Sequence, residues 1–167
     1  MGNWLSYLDN SVEEIVGSAL NRLEKNLGIR PVRTLLPDNL PLLWIDAVLV
    51  EQVLTNLIEN AIKYTPAGSP IDISAELLPA DLKITVSDYG LGIAKGMEEK
   101  IFDKFYRLES EIQQNGVGVG LTLCRTIIET HGGTIHAVNR AGKGASFIIH
   151  LPLHEPPQIN WHEGMET

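Results

Sequence analysis

Through the first thirty positions apolar residues recur at helical steps of three and four, at Leu5, Leu8, Val12, Ile15, Ala19, Leu23 and Leu27, and Gly28 is a natural stop. The spacing predicts one amphipathic helix over about residues 1–30. No second helix within the segment closes its apolar stripe, so the stripe packs on the following domain or on something outside this chain. Pro31, Pro37 and Pro41 then interrupt the chain up to Trp44, a pattern of short edge strands and turns. Asp46 is placed to cap a long helix running to about Tyr64, with Val50, Val53, Leu54, Leu57, Ile58 and Ala61 on its apolar face. The stretch Thr65-Pro66-Ala67-Gly68-Ser69-Pro70 ends it.

Beyond that point the period changes to two. Ile71, Ile73, Ala75 and Leu77 alternate, as do Leu82, Ile84 and Val86, with Pro79-Ala80-Asp81 as the turn between them. A glycine-rich span from Asp88 to Gly120 contains one short segment around Glu98 to Tyr106. A helix from about Val119 to Thr130 stops at Gly132-Gly133, and alternating strands over Thr134 to Asn139 and Ala145 to Leu151 follow. The order predicts a two-layer α+β sandwich, a mixed and mostly antiparallel sheet of about five strands under three helices. The expected divisions are an N-terminal helix over 1–30, a domain over 31–153 and a tail over 154–167.

Composition narrows the classes. The chain has 167 residues, 13 Lys and Arg against 21 Asp and Glu, a net charge of −8, and 44% hydrophobic residues. That supplies a core and argues against a nucleic-acid partner, which calls for a basic face. The lone Cys124 forms no internal disulfide and suits a reducing compartment. Apolar runs fall short of the roughly 20 residues of a membrane span, so a membrane-inserted segment is not expected.

Four stretches carry candidate chemistry. Asn56, Asn60 and Lys63 lie within roughly a 60° arc of the long helix, with Tyr64 at the edge of the stripe. Amide oxygens and a cation facing one way suit a hydrated divalent ion and a phosphate; the plain alternative is a solvated helix face. Asp88-Tyr89-Gly90-Leu91-Gly92 follows directly on a strand, where a carboxylate can accept from an exocyclic amine and glycines let backbone approach a flat ligand. Gly116-Val117-Gly118-Val119-Gly120-Leu121 opens a helix and offers backbone N–H groups to an anion. Ile101-Phe102-Asp103-Lys104-Phe105-Tyr106-Arg107 pairs aromatic anchors with cations that can reach a phosphate. The polar stretch Glu109 to Asn115 has the composition of a lid.

As an ordered set these motifs resemble the four nucleotide-binding boxes of the sensor histidine kinase catalytic domain, within the wider ATPase group of gyrase, Hsp90 and MutL. Asn56-Leu-Ile-Glu-Asn60-Ala-Ile-Lys63-Tyr64-Thr65 looks like the N box and Asp88-Tyr-Gly90-Leu-Gly92-Ile like G1. Ile101-Phe102-Asp-Lys-Phe105 resembles the F box, and Gly116-Val-Gly118-Val-Gly120-Leu121 the G2 box. Gly142-Lys-Gly144-Ala145-Ser146-Phe147 is similar to the final glycine turn, with Ala145 where Thr is usual. The stretch from Leu40 to Asp46 through the N box further resembles the potassium-responsive sensor kinases of bacteria.

The resemblance implies roles position by position. Asn60 would hold Mg²⁺ on the ATP phosphates with Asn56 beside it, Lys63 and Arg107 would meet phosphate, and Tyr64 would lie near ribose or adenine. Asp88 would accept from the adenine amine, with Gly90 and Gly92 admitting the base. Lys104, Phe105, Gly116, Gly118, Gly120 and Leu121 would complete the nucleotide site and its flexible lid. Hydrolytic relatives carry a Glu one turn before the magnesium Asn. Here that place is Asn56, whose amide is no base, and Glu59 projects about 100° away from Asn60. The expected nucleophile is therefore a neutral imidazole rather than water.

None of His131, His136, His150, His154 and His162 sits on an exposed helix with an acidic neighbour. The acceptor is thus expected on a dimerisation domain absent from this chain, whose N-terminal helix would be its tail or a connector. The further implied partners are a response regulator and, for the parent, a second copy in a homodimer. The implied location is the cytoplasm, with a parent anchored in the bacterial inner membrane. Two alternatives remain: an anti-sigma-type serine kinase of the same fold and a non-catalytic nucleotide-sensing module.

Overall fold

The structure, a computed structural model, describes residues 7–103 and 120–154. Among these the chain runs β1 (Tyr7–Asn10), α1 (Val12–Arg22), α2 (Glu24–Leu27), β2 (Val32–Leu35), β3 (Leu43–Asp46), α3 (Ala47–Lys63), β4 (Ile71–Leu77) and β5 (Asp81–Ser87). A 3₁₀ turn (Lys100–Phe102), α4 (Gly120–Thr130), β6 (Thr134–Asn139) and β7 (Ala145–Pro152) follow.

Strand alternation decides which way the main sheet faces. Ile73 of β4 lies beside Val86 of β5, Val86 beside Phe147 of β7, and Phe147 beside Ala137 of β6. The next row is Ala75, Ile84, Ile149 and Ile135. All are buried, because a period of two sends every second side chain to the same face. The apolar faces of α1, α3 and α4 join the same core, with Val16, Leu57, Ile58, Cys124 and Ile128 at its centre. The strand order is β2-β4-β5-β7-β6, and only the β2–β4 pair is parallel. This is the mixed two-layer α+β sandwich that the sequence predicts.

The N-terminal segment differs from its expected single helix. Tyr7–Asn10 is a strand, antiparallel to β3 with Tyr7 opposite Asp46, and Leu8 is 63% exposed rather than part of an apolar stripe. The Asn10 side chain donates to Ile45 O at 3.0 Å, and Ser11 caps α1 by accepting from Glu14 N. Leu23 then separates α1 from the short α2, so four helices stand among the described residues where three were expected. The stripe from Val12 to Leu23 is buried in the common core, and α1 packs on α3.

α3 starts where its cap predicts: the Asp46 carboxylate accepts from Leu49 N at 3.1 Å. The backbone N–H of the same residue donates to His131 Nε2 at 3.1 Å, and His131 Nδ1 lies 2.8 Å from Ile127 O. Nε2 is therefore the acceptor and Nδ1 carries the proton. This buried imidazole locks the end of α4 to the start of α3, a structural post with no access for phosphorylation.

Candidate functional site

Asp88 lies one residue beyond β5, in the phase that points toward the helices. It is only 8% exposed. Its Oδ1 accepts from Gly90 N at 2.9 Å and from Ala145 N at 3.2 Å, and its own N–H donates to Ala145 O at 2.9 Å. The two donors fix one carboxylate oxygen, and no hydrogen bond from a described residue engages the other. Ala145 thus serves Asp88 through its backbone, whatever its side chain. Gly144, at φ 98°, comes so near that a Cβ there would overlap the Asp88 carbonyl.

The second half of the site is the end of α3. A Cβ on Gly90 would stand 2.7 Å from Tyr64 O and 3.1 Å from Thr65 Cγ2. Tyr64 N donates in turn to Asn60 O at 3.0 Å. The Asp88 loop therefore rests directly on the helix end that presents Asn60, Lys63 and Tyr64. Asn60 is partly exposed, while Lys63 and Tyr64 are exposed, with Lys63 Nζ 5.5 Å from the Tyr64 ring centre. Asn56, one turn back, is already engaged: Oδ1 accepts from Gln52 at 2.9 Å and Nδ2 donates to Gly120 O at 3.4 Å. Glu59 points to solvent.

Residues 45–155 match the family model described as histidine kinase-, DNA gyrase B-, and HSP90-like ATPase. The chain belongs to this family.

Among relatives of this ATPase-family chain, the sensor protein KdpD of Escherichia coli (strain K12) is 45% identical over 156 residues, 93% of this chain and 17% of KdpD. The adaptive-response sensory kinase SasA of a Synechococcus species is 42% identical over 71% of this chain and 32% of its own length. The chain therefore spans a minor part of these curated relatives. Of solved structures, the catalytic domain of histidine kinase ThkA superposes with a TM-score of 0.77 at 29% identity, covering 89% of this chain and 96% of that one. A structure of ThkA in complex with the response regulator protein TrrA matches with a TM-score of 0.76 at 26% identity, over 89% of this chain and 42% of that one.

Of the other expected site residues in this ATPase-family chain, Gly92 has φ 83°, and Gly120 and Leu121 begin α4. Lys104, Phe105, Arg107, Gly116 and Gly118 lie outside the described residues, as does His162. Just before that span Phe102 is buried edge-on against Phe147, centroids 6.2 Å apart, beneath the Arg125 guanidinium. Its carbonyl accepts from Thr122 Oγ1 at 2.8 Å, which joins the 3₁₀ turn to α4. His136 and His150 stand in strands, stacked with centroids 5.9 Å apart, and His154 follows β7. A cavity of about 280 Å³ lined by Asp81, Gly133, His136 and His150 opens at the opposite end of β5. It shares no residue with the Asp88 site.

Three side chains absent from the sequence-based site hold it in shape. Arg30, buried, donates to Ile62 O in the last turn of α3 at 3.3 Å and to Thr65 Oγ1 at 2.6 Å and Ser69 O at 2.9 Å in the segment after it. Arg140 donates to Asp88 O at 3.2 Å and Tyr89 OH at 3.0 Å, its guanidinium 3.9 Å from the Tyr89 ring centre. Asn139 pairs with Ile93. Of these, Asn139 alone leaves a local trace: it is a polar residue in the inward phase of Ile135 and Ala137. Among the described residues no three His, Cys, Asp or Glu side chains gather to hold a metal ion, and no helix is long and apolar enough to cross a membrane.

Proposed function

We propose that this chain is the ATP-binding catalytic part of a bacterial two-component sensor histidine kinase of the potassium-responsive type, acting on a histidine of a dimerisation domain and, through it, on a response regulator. The observation that carries the reading is the contact of the Asp88–Gly90 loop with the α3 end bearing Asn60, Lys63 and Tyr64. A buried acid suited to an amine and a helix end carrying amides and a cation thus lie side by side. The 45% identity to KdpD across 93% of the chain supports the narrower class.

The donor set fits Mg²⁺, a hard ion that keeps several waters and takes few protein oxygens. Asn60 is the residue to hold it, since its amide is partly open while Asn56 is bonded to Gln52 and Gly120. When bound, the ion neutralises charge on the phosphates. Asp88 orients the base, Lys63 offers a cation at the helix end, and no carboxylate stands one turn before Asn60 to activate water. The chain's own work is positioning, and the nucleophile comes from an imidazole elsewhere.

Mg-ATP at a hundredfold excess over its Kd is expected to stabilise the fold by about 2.7 kcal/mol, a rise of several degrees in Tm. Asn60→Asp, which sets a carboxylate against the phosphates, blunts that rise. Folded protein with no shift at millimolar ATP overturns the reading. Incubation with the acceptor helices of a sensor kinase and labelled ATP should give acid-labile, base-stable phosphate on histidine. Acid-stable phosphate on a serine partner favours the anti-sigma-type alternative.

A further inference from the structure

We infer that Asn139 is a positioning residue for the adenine side of the site, holding the loop after Asp88 in its binding shape; this rests on the nucleotide reading above. Asn139 is the last residue of β6, opposite Ala145, and its side chain is exposed, so core packing does not explain it. Both ends of its amide go to one residue: Oδ1 accepts from Ile93 N at 2.7 Å and Nδ2 donates to Ile93 O at 2.8 Å. Such an exchange of two bonds is what a residue in an antiparallel ladder gives its partner. Here a side chain supplies it, and so extends β6 to a loop that has no strand of its own.

The fit is mutual. Gly92 has φ 83°, and a Cβ there would meet Asn139 Oδ1 at 2.6 Å. Glycine at 92 is thus favoured by its backbone angle, and a side chain there would displace the Asn139 amide from Ile93. Among the described residues the loop is held by hydrogen bonds at Tyr89, whose hydroxyl meets Asp72, Arg33 and Arg140, at Gly90 through the Asp88 carboxylate, and at Ile93 through the Asn139 amide. Leu91 between the ties is 99% exposed and adds no anchor. Losing the Asn139 tie leaves the backbone from Leu91 to Ile93 without a hydrogen bond to a described residue, with the Ile93 side chain still packed on the core, so the loop beside the base loses its set shape while the α3 end with Asn60 and Lys63 is untouched.

The test uses the whole chain as wild type, Asn139→Ala and Asn139→Asp, with amide hydrogen exchange and ATP titration by calorimetry. Asn139→Asp keeps an acceptor for Ile93 N–H but loses the donor to Ile93 O. In both variants exchange at Ile93 is expected to speed up and ATP affinity to fall, each by at least about tenfold, while amides of β5 and β7 keep wild-type protection. ATP affinity within about twofold of wild type in both variants overturns the inference. So does equal loss of protection across β5 and β7, which marks a merely structural residue. If wild type itself binds no ATP, the nucleotide reading fails, and the exchange data still decide whether Asn139 holds the loop.

Discussion

Gly90 lies so close to Tyr64 that a methyl group on its α-carbon would stand 2.7 Å from the Tyr64 carbonyl oxygen. Backbone rather than a flexible side chain occupies the space, so nothing can give way cheaply. Gly90→Ala is expected to cost about 1–3 kcal/mol and to abolish the rise in Tm with Mg-ATP. Gly17 is the contrast: it sits in α1, and a Cβ there meets nothing within 4 Å. Gly17→Ala should add roughly 0.5–1 kcal/mol. Urea unfolding of the two variants reads both signs.

Arg30 carries three hydrogen bonds from a buried position, one to the last turn of α3 at Ile62 and two to the following segment at Thr65 and Ser69. Its removal leaves the carbonyls of Ile62 and Ser69 and the Thr65 hydroxyl without that donor. Arg30→Ala is expected to destabilise by about 1.5–3 kcal/mol, and Arg30→Lys to recover little, since a single ammonium cannot match a planar fork. Equal stability of the lysine variant and wild type in chemical denaturation contradicts this account.

Burial pushes the Cys124 thiol up to about 12, against weaker opposing hydrogen bonds. With the thiolate so scarce and the sulfur enclosed, the folded chain should resist iodoacetamide at about pH 8 and react only after denaturation. Mass spectrometry of labelling with and without denaturant decides it.

Desolvation holds His136 below its ordinary value of 6.5, helped by His150 and Lys83 and opposed by Glu99. The unfolded chain therefore binds more protons than the folded one in the window below 6.5. Stability is present above that value and declines as pH falls toward the depressed folded value. His136→Gln should flatten the fall in Tm between about pH 7 and pH 5; an unchanged slope removes His136 from the cause.

The elements with a strong local code were legible in the chain. α3 has a cap at Asp46, an unbroken apolar face and a proline-glycine stop, and β4 to β7 alternate over enough residues to fix their faces. β1 was not, because Leu8 continues the three-and-four spacing by accident. The strand is four residues long and exists through pairing with β3, far along the chain. The Ser11-x-x-Glu14 pattern does mark where the helix begins. Within the candidate site Asn60, Asp88 and Gly90 belong to local motifs visible in the sequence. Arg30 reaches Ser69 O across 39 residues and Asn139 reaches Ile93 across 46, and these backbone partners carry no signature of their own.

β5 is the middle strand of its sheet, and the backbone donor that fixes Asp88 is supplied by a residue 57 positions away on β7. A contact of such separation requires the intervening chain to have closed on itself, at the entropic cost of a long loop. A half-assembled chain can bury apolar surface and form α3, yet on the proposed reading it lacks the seat for the base. Nucleotide capture is in this way a proof of completed assembly.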